Sequence, residues 1–324
     1  MPRPRIVLIA ALVAAAVWLP AQLGCQPSAA PATPLVFGDA FWKHWGDGRA
    51  ELAGYDLTFP RYGAPRQGVA VAIFVTETFS NTLRVKSDPG KHLKADEYPV
   101  IKLNLVRDFP TGVYDYNLMT SAFVALAEVN GRPAGSPTKV SFSSQEWCGN
   151  VYSQLRFDRD EVRHALHSYF DGEADAENSF RAPRDAVSED ALLLWARGIA
   201  APALAPGEAR EVPLVRSLAV SRLHHQPMVV ESATLSRAAA PARVTVPAGT
   251  FDTETFSAAI EGDRTWTIDV ERAEPRRIVR WTTSDGERGE LLAADRLAYW
   301  KMNGPGFDTE LARLGLKTRP LRAP

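Results

Sequence analysis

Six short predicted strands, most of them rich in β-branched or aromatic residues, follow one another in the last third of the sequence, and this repetition limits the fold more than any other feature. They are residues 228–236, 243–246, 250–260, 265–270, 278–283 and 289–292. Glu-Gly-Asp at 261–263 and Ser-Asp-Gly at 284–286 separate two pairs of them. Asp-Gly is a strong signal for a tight β-turn. Closely spaced strands joined by turns predict an antiparallel meander rather than βαβ units.

The middle of the chain carries the same signature. Residues 51–59 and 69–78 are predicted to form a hairpin, with turn residues at 65–68. In 100–107, apolar and polar side chains mostly alternate, which is typical of an antiparallel strand with one face in water. Further predicted strands are 112–116, 121–129, 139–146, 151–157 and 211–215.

Helical signals are few. Ser188 is a good N-cap, the acids 189 and 190 suit a first turn, and Gly198 is a plausible stop, so a helix is predicted over about 188–198. A second short helix is predicted over 160–168. The predicted fold class is therefore mainly β: a curved antiparallel sheet or half-barrel with one capping helix.

The N-terminus has the three parts of a bacterial export signal. Arg3 and Arg5 precede an uncharged apolar run, and the exit reads Gln-Leu-Gly-Cys, ending at Cys25. This exit resembles a lipobox, so residues 1–24 are predicted to be a signal peptide and Cys25 the site of lipid attachment. The alternative is ordinary cleavage near residues 30–32, without a lipid. Because Gln26 is not the aspartate typical of inner-membrane retention, we expect an outer-membrane lipoprotein of the cell envelope, held to the membrane by its N-terminal lipid.

The predicted domain organisation follows from composition. Residues 25–36 are rich in Pro and Ala and are predicted to be a flexible tether, and 37–300 to be a single β-rich envelope domain with possible halves 37–197 and 208–300. The Pro-rich end 301–324 is predicted to be a peripheral tail. A net charge of −1 without a basic stripe argues against nucleic-acid binding. No motif implies a cofactor.

Few residues are candidates for a catalytic or metal-binding role. Cys148, next to Trp147, could act as a nucleophile if a histidine came close, and His164 and His167 are the nearest along the chain. The alternative for Cys148 is a small buried apolar residue near a strand end. His164 and His167 would share a face only if their segment were helical. The histidine spacings match no metal-binding pattern, so no metal site is predicted.

Several motifs carry a resemblance to a known family. FWKHWGDG at 41–48, VTETFSN at 75–81, SFSSQEWCG at 141–149, HSYFDGE at 167–173 and VPAGTF at 246–251 resemble an uncharacterised family of bacterial envelope lipoproteins. The stretch from residue 243 also resembles a periplasmic β domain of unknown function. Some members of the envelope lipoprotein family carry the name "septum formation inhibitor Maf", but this sequence has an export signal and little of the βαβ pattern of Maf pyrophosphatases. The resemblance implies no catalytic residues.

Together these features predict a non-enzymatic exported lipoprotein whose curved sheet binds an apolar or lipid-like envelope ligand. One alternative is an envelope thiol enzyme or hydrolase that uses Cys148 with a histidine. Another is a structural or partner-binding envelope protein, which an exposed apolar patch would favour. The sequence does not define an oligomeric state.

Overall fold

Sixteen strands and three α-helices make up residues 35–317, which are the part of the chain that the computed structural model describes. Strands β1 to β8 are Ala50–Arg61, Ala64–Ser80, Glu97–Pro110, Asp115–Ala125, Pro137–Glu146, Gly149–Phe157, Glu161–Ser168 and Ala176–Arg181. Strands β9 to β16 are Val187–Ser188, Ala209–Val215, Val230–Arg237, Ala242–Val246, Gly249–Ile260, Thr265–Glu271, Ile278–Thr283 and Arg288–Leu297. The α-helices α1, α2 and α3 are Asp39–Trp45, Leu192–Ala196 and Leu218–His224. The 3₁₀-helices are Lys94–Asp96, Glu189–Ala191, Tyr299–Lys301 and Phe307–Leu314.

All of these strands belong to one sheet. Across the sheet the strands follow the order β8, β7, β6, β5, β4, β3, β2, β1, β16, β15, β14, β13, β11, β10 and β9. Strand β12 lies outside this order and pairs with β13. The neighbours are antiparallel except β9 and β10, which are parallel. The two edge strands, β8 and β9, do not pair with each other, so the sheet curves without closing. The predicted fold class, a mainly β protein with a curved antiparallel sheet, is confirmed.

The first hairpin exists, but its turn was predicted in the wrong place. The chain reverses at Tyr62 and Gly63, where Arg61 pairs with Ala64, and residues 65–68 lie inside β2. Both turn residues have positive φ, 55° and 71°. A two-residue turn of this kind matches the right-handed twist of the flanking strands, which the Pro/Gly composition at 65–68 does not reveal.

The helix predictions need two corrections. Residues 161–168 form strand β7 and not a helix, because the segment pairs with β6 on one side and with β8 on the other. The predicted capping helix at 188–198 is reduced to a 3₁₀ turn followed by the five residues of α2. All five are buried, so α2 fills the sheet from within instead of capping it from outside.

The concave side of the sheet is largely occupied by the chain itself. Trp195 on α2 packs edge-on against Phe256 of β13, and its indole N–H donates to the Pro202 carbonyl at 2.9 Å. At one border, Trp45 of α1 is buried near Phe74 of β2. This buried cluster leaves no open cradle along the whole inner face, so unfilled space is confined to local cavities.

The described part of the C-terminal tail packs on the convex side. Leu314 is buried against Leu52 and Leu297, in a small cluster separate from the main core. Gly54 allows this approach, because a Cβ at that position would lie 2.1 Å from the Leu314 carbonyl oxygen. The described part of the tail contacts β1 and β16 as far as Leu314.

Candidate functional site

A groove lies at the seam where the sheet does not close, between strands β6 to β8 and helix α3. Its volume is about 530 Å³. Leu166, Phe180, Leu218 and Met228 provide apolar lining, and all except Leu218 are only partly buried. Cavities of this size are typical of small-molecule sites, which combine an apolar lining with a few polar groups. We call it the seam groove.

Helix α3 forms one wall of the seam groove, and polar contacts hold it there. The Ser217 hydroxyl accepts a hydrogen bond from the backbone N–H of Ala219 at 3.2 Å and donates one to Asp190 at 2.7 Å. The helix ends at His224, and the residue after it, His225, has a left-handed φ of 53°. Sequence patterns did not indicate this helix.

Three polar side chains from neighbouring strands meet in the groove. Ser153 Oγ on β6 and His164 Nε2 on β7 share a hydrogen bond of 2.8 Å. The side chain of Asn178 on β8 also bonds His164. Burial lowers the pKa of His164, and the Asn178 contact opposes this shift. A neutral imidazole can accept a hydroxyl proton, so the pair has the donor and acceptor chemistry of a serine and its base.

A second cavity of about 330 Å³ lies on the other side of α3. It reaches a network of buried charges inside the sheet. Arg107 Nε donates to Glu287 at 2.9 Å, and Arg264 Nε donates to Glu189 at 2.8 Å. The indole N–H groups of Trp281 and Trp266 donate to the same two carboxylates, at 3.1 Å and 2.9 Å. The carboxylates are therefore satisfied by protein groups, which favours a structural role for this network.

Asp190 makes the stability of this region depend on pH. Burial raises its pKa from 3.8 to about 6, against the opposing hydrogen bond from Ser217. The folded state then holds a proton that the unfolded chain releases between pH 3.8 and 6, so this group stabilises less as pH rises through that window. We expect the stability of wild type relative to Asp190→Asn to fall by about 1–3 kcal/mol between pH 4 and 7. Urea unfolding of both proteins at the two pH values measures the difference, and an unchanged difference would contradict the assignment.

Cys148 is exposed in the turn between β5 and β6, so its interpretation as a buried apolar residue is wrong. Its backbone N–H donates to Glu146 at 2.7 Å. A hydrogen bond with the Glu146 carboxylate raises the pKa of the thiol, and Tyr114 opposes this. No histidine hydrogen bond to Cys148 occurs within residues 35–317, whereas a nucleophilic cysteine needs a lowered pKa.

The thiol is therefore expected to be accessible but slow to react. Glu146→Gln removes the neighbouring negative charge and should increase the rate of modification by a disulfide reagent several-fold at pH 8, because more thiolate forms. The full chain carrying Cys25→Ser, which leaves one thiol, allows stopped-flow measurement of this rate. Glu310→Gln, far from the turn in sequence and paired with Arg313, is the control. A native rate above that of a free cysteine would contradict this prediction.

The other predicted site residues are not brought together. His164 and His167 are three apart in a strand and so point to opposite faces, which corrects the shared-face possibility. His167 is exposed, with its Nδ1 3.0 Å from Asp175, while His164 lines the seam groove. Within residues 35–317, no group of three or more His, Cys, Asp and Glu side chains is placed to hold a metal ion. Cys25 lies outside the described residues.

Exposed aromatic residues mark one rim of the sheet. Trp147 is 76% exposed and Tyr169 is 71% exposed, at the turn after β5 and the turn after β7. Tyr62 in the turn after β1 is 56% exposed. In an antiparallel meander these alternate turns lie at the same end. Such a rim is an exposed apolar surface of the kind that contacts partners or membranes.

No helix between residues 35 and 317 is both long enough and apolar enough to cross a membrane. The groove residues Ser153, Asn178 and Arg222 were not identified from the sequence, because each lies in a different element and no spacing motif links them.

Few known proteins are similar to this chain. No family model and no curated protein matches the chain. Among solved structures, the chain is similar to a β-barrel-like protein of a domain of unknown function, DUF1849, from Brucella abortus, with a TM-score of 0.43 and 12% identity. The match covers 76% of this chain and 97% of that one. It is a weak likeness that is compatible with an uncharacterised β domain and says nothing about activity.

Proposed function

We propose that this protein is an exported envelope lipoprotein that binds an apolar or lipid-like ligand in the seam groove. The observation that carries the proposal is the groove itself, with about 530 Å³ of space beside partly buried Leu166, Phe180 and Met228. Burial of apolar surface is the main favourable term in such binding. A ligand here would cover apolar side chains that the protein leaves uncovered.

The position of the groove also supports binding. The rest of the concave side is filled by α2 and its surroundings, so a ligand does not have to displace the main core. The groove lies along β8, an edge strand with one unpaired side, and against the face of α3 that carries Leu218 and Arg222. Access from the side of the sheet suits an elongated ligand.

Uptake of a fluorescent fatty acid by the full chain tests the proposal. Ala176→Trp places a large ring in the groove, because Ala176 on β8 lines it. We expect wild type to bind the probe and Ala176→Trp to lose most of this binding. Val113→Trp is the matched control, since Val113 is 82% exposed and outside the groove. No uptake by wild type, and no ligand in native mass spectrometry, would overturn the proposal.

The envelope location rests on the N-terminal sequence. Palmitate labelling of wild type against Cys25→Ser in a bacterial host tests the anchor. We expect a labelled band in wild type that is absent in the variant. A wild-type protein without label would contradict lipidation while leaving export by ordinary cleavage in place.

Hydrolysis is a second candidate function, favoured by the Ser153–His164 contact of 2.8 Å in the groove. A serine hydroxyl beside a histidine, with a third polar group on that histidine, is the arrangement of serine hydrolases. This shifts the enzyme alternative from Cys148 to Ser153. A fluorophosphonate probe should label wild type but not Ser153→Ala. If wild type stays unlabelled, the Ser153–His164 pair is only a cross-strand hydrogen bond.

A further inference from the structure

Arg222 lines the seam groove with a charged side chain that is almost completely buried. It lies in the last turn of α3 and its side chain is 4% exposed. The guanidinium carbon lies 3.8 Å from the centroid of the Phe170 ring, so the ring covers one face of the cation. This stacking fixes the plane of the guanidinium and leaves its edge, which carries the N–H groups, for hydrogen bonding.

Two of these donors, Nε and Nη1, are buried and have no hydrogen-bond acceptor within residues 35–317. The nearest carboxylate oxygen of Glu173 is 4.0 Å from Nε, beyond hydrogen-bond distance. Glu173 already bonds Ser168 and His225. A buried cation with unmet donors is costly, so such a group indicates a missing acceptor.

Two other buried arginines make hydrogen bonds that Arg222 lacks, although the Nε of Arg197 also has no partner among the described residues. Arg197 makes a bidentate pair with Glu51, at 2.6 Å and 3.1 Å. Arg132 donates to three backbone carbonyls, the shortest at 2.6 Å to Asp158. Arg222 differs from both because two of its guanidinium nitrogens, Nε and Nη1, lack a hydrogen-bond acceptor among the described residues, and Glu173 is 4.0 Å from Nε. The same side chain lines a solvent-accessible groove, so an acceptor can come from a ligand.

We propose that the ligand of the seam groove is an amphiphile with an anionic head group, carboxylate or phosphate, that pairs with Arg222. The inference rests on the proposed function and names the class of ligand. The planar guanidinium edge matches two oxygens of either anion. The hydrocarbon part would then contact Leu218 and Met228, which line the same groove. Neither a purely apolar molecule nor a small inorganic anion uses both features.

Competition against a neutral fluorescent probe, N-phenyl-1-naphthylamine, tests this with the full chain carrying Cys25→Ser, so that no covalent lipid competes. Dodecanoate, dodecyl phosphate and dodecanol share one chain length and differ in head group. A hydrogen bond to a charged group contributes about 1.5–3 kcal/mol, so we expect the anions to bind roughly 10- to 100-fold more tightly than the alcohol. The two anions distinguish a carboxylate from a phosphate ligand.

Variants at Arg222 provide the second arm. Arg222→Gln should bind the three compounds about equally, and Arg222→Lys should keep part of the preference because it retains the charge without the planar edge. Arg184→Gln is the matched control, because Arg184 is exposed, pairs with Asp160 and is not in the groove. Arg222→Gln is also expected to have a melting temperature equal to or above that of wild type, since it removes a buried cation with unmet hydrogen-bond donors.

The outcomes separate the two proposals. Equal displacement by dodecanoate and dodecanol in wild type, or an unchanged anion preference in Arg222→Gln, would overturn the anionic class while groove binding stands. If neither the probe nor any of the three compounds binds wild type, the proposed function itself fails. A melting temperature of Arg222→Gln well below wild type would show that the guanidinium is satisfied internally, and would also contradict the inference.

Discussion

Replacing Glu189 by alanine is expected to lower the free energy of unfolding by about 3–5 kcal/mol, because it leaves buried charge and donors without a partner. The Glu189 side chain has no solvent exposure. It accepts hydrogen bonds from Arg264 at 2.8 Å, the Trp266 indole at 2.9 Å and the Ser217 backbone at 2.9 Å. These contacts join β14 to the start of α3, so their loss should also loosen one wall of the seam groove.

Urea unfolding followed by tryptophan fluorescence measures this effect. Glu189→Gln should be less destabilising than alanine but not neutral, because its amide N–H group would face a donor where a carboxylate oxygen accepts. Glu310→Ala is the control, since that carboxylate is 35% exposed and pairs with a half-exposed Arg313. Surface pairs of this kind contribute about 0–1 kcal/mol. A cost below about 1 kcal/mol for Glu189→Ala would show that the interior rearranges or admits water.

Replacing Arg197 by methionine should destabilise the protein by about 3–5 kcal/mol, because Glu51 would remain buried without its counter-charge. The Arg197 and Glu51 side chains are 1% and 3% exposed, and both nitrogens of the guanidinium fork reach the carboxylate. Arg197 also donates to the Pro275 carbonyl at 2.7 Å and covers the Phe74 ring. It thereby connects the residue after α2 to β1 at the middle of the sheet.

A double-mutant cycle separates the pair from its surroundings. Glu51→Leu combined with Arg197→Met removes both charges, and we expect it to recover most of the loss seen in Arg197→Met, because an apolar pair of similar volume is often as stable as a buried ion pair. Arg184→Met, at an exposed pair with Asp160, is the control. If the double variant is as unstable as the sum of the two single variants, the residues do not interact in the way their geometry indicates.

Local patterns identified most of the strands but not β7, β8 or the short helices, and they divided β4 into two predicted strands. The alternation in 100–107 and the Asp-Gly turn at 285–286 act between near neighbours in sequence, and the corresponding strands β3, β15 and β16 are present. A short helix was predicted over 160–168, but residues 161–168 form strand β7, which pairs with β6 and with β8. Helix α3 has only seven residues, which is too few to show a clear helical periodicity within a sequence that otherwise favours strands.

In the candidate site, too, some residues were indicated by the sequence and others became apparent only from the tertiary structure. His164 was noted from the sequence, but its partner Ser153 became apparent only when β6 and β7 paired. Cys148 was the most pointed sequence candidate, yet the hairpin places it in an exposed turn beside Glu146. A nucleophile and its base are recognised by distance, and distance between elements is not written in spacing.

The sequence by itself determined a mainly β chain of short strands joined by turns, because side-chain alternation and turn chemistry are local and need no distant partner. Only the tertiary structure decided that the sheet would curve without closing and where its seam would lie. That outcome depends on pairing between residues far apart, such as Ala50 with Leu297, and on the absence of pairing between β8 and β9. The seam groove forms where α3 lies beside residues of β6 to β8, and an interior position such as Arg222 acquires its chemistry from neighbours that the chain brings together on folding.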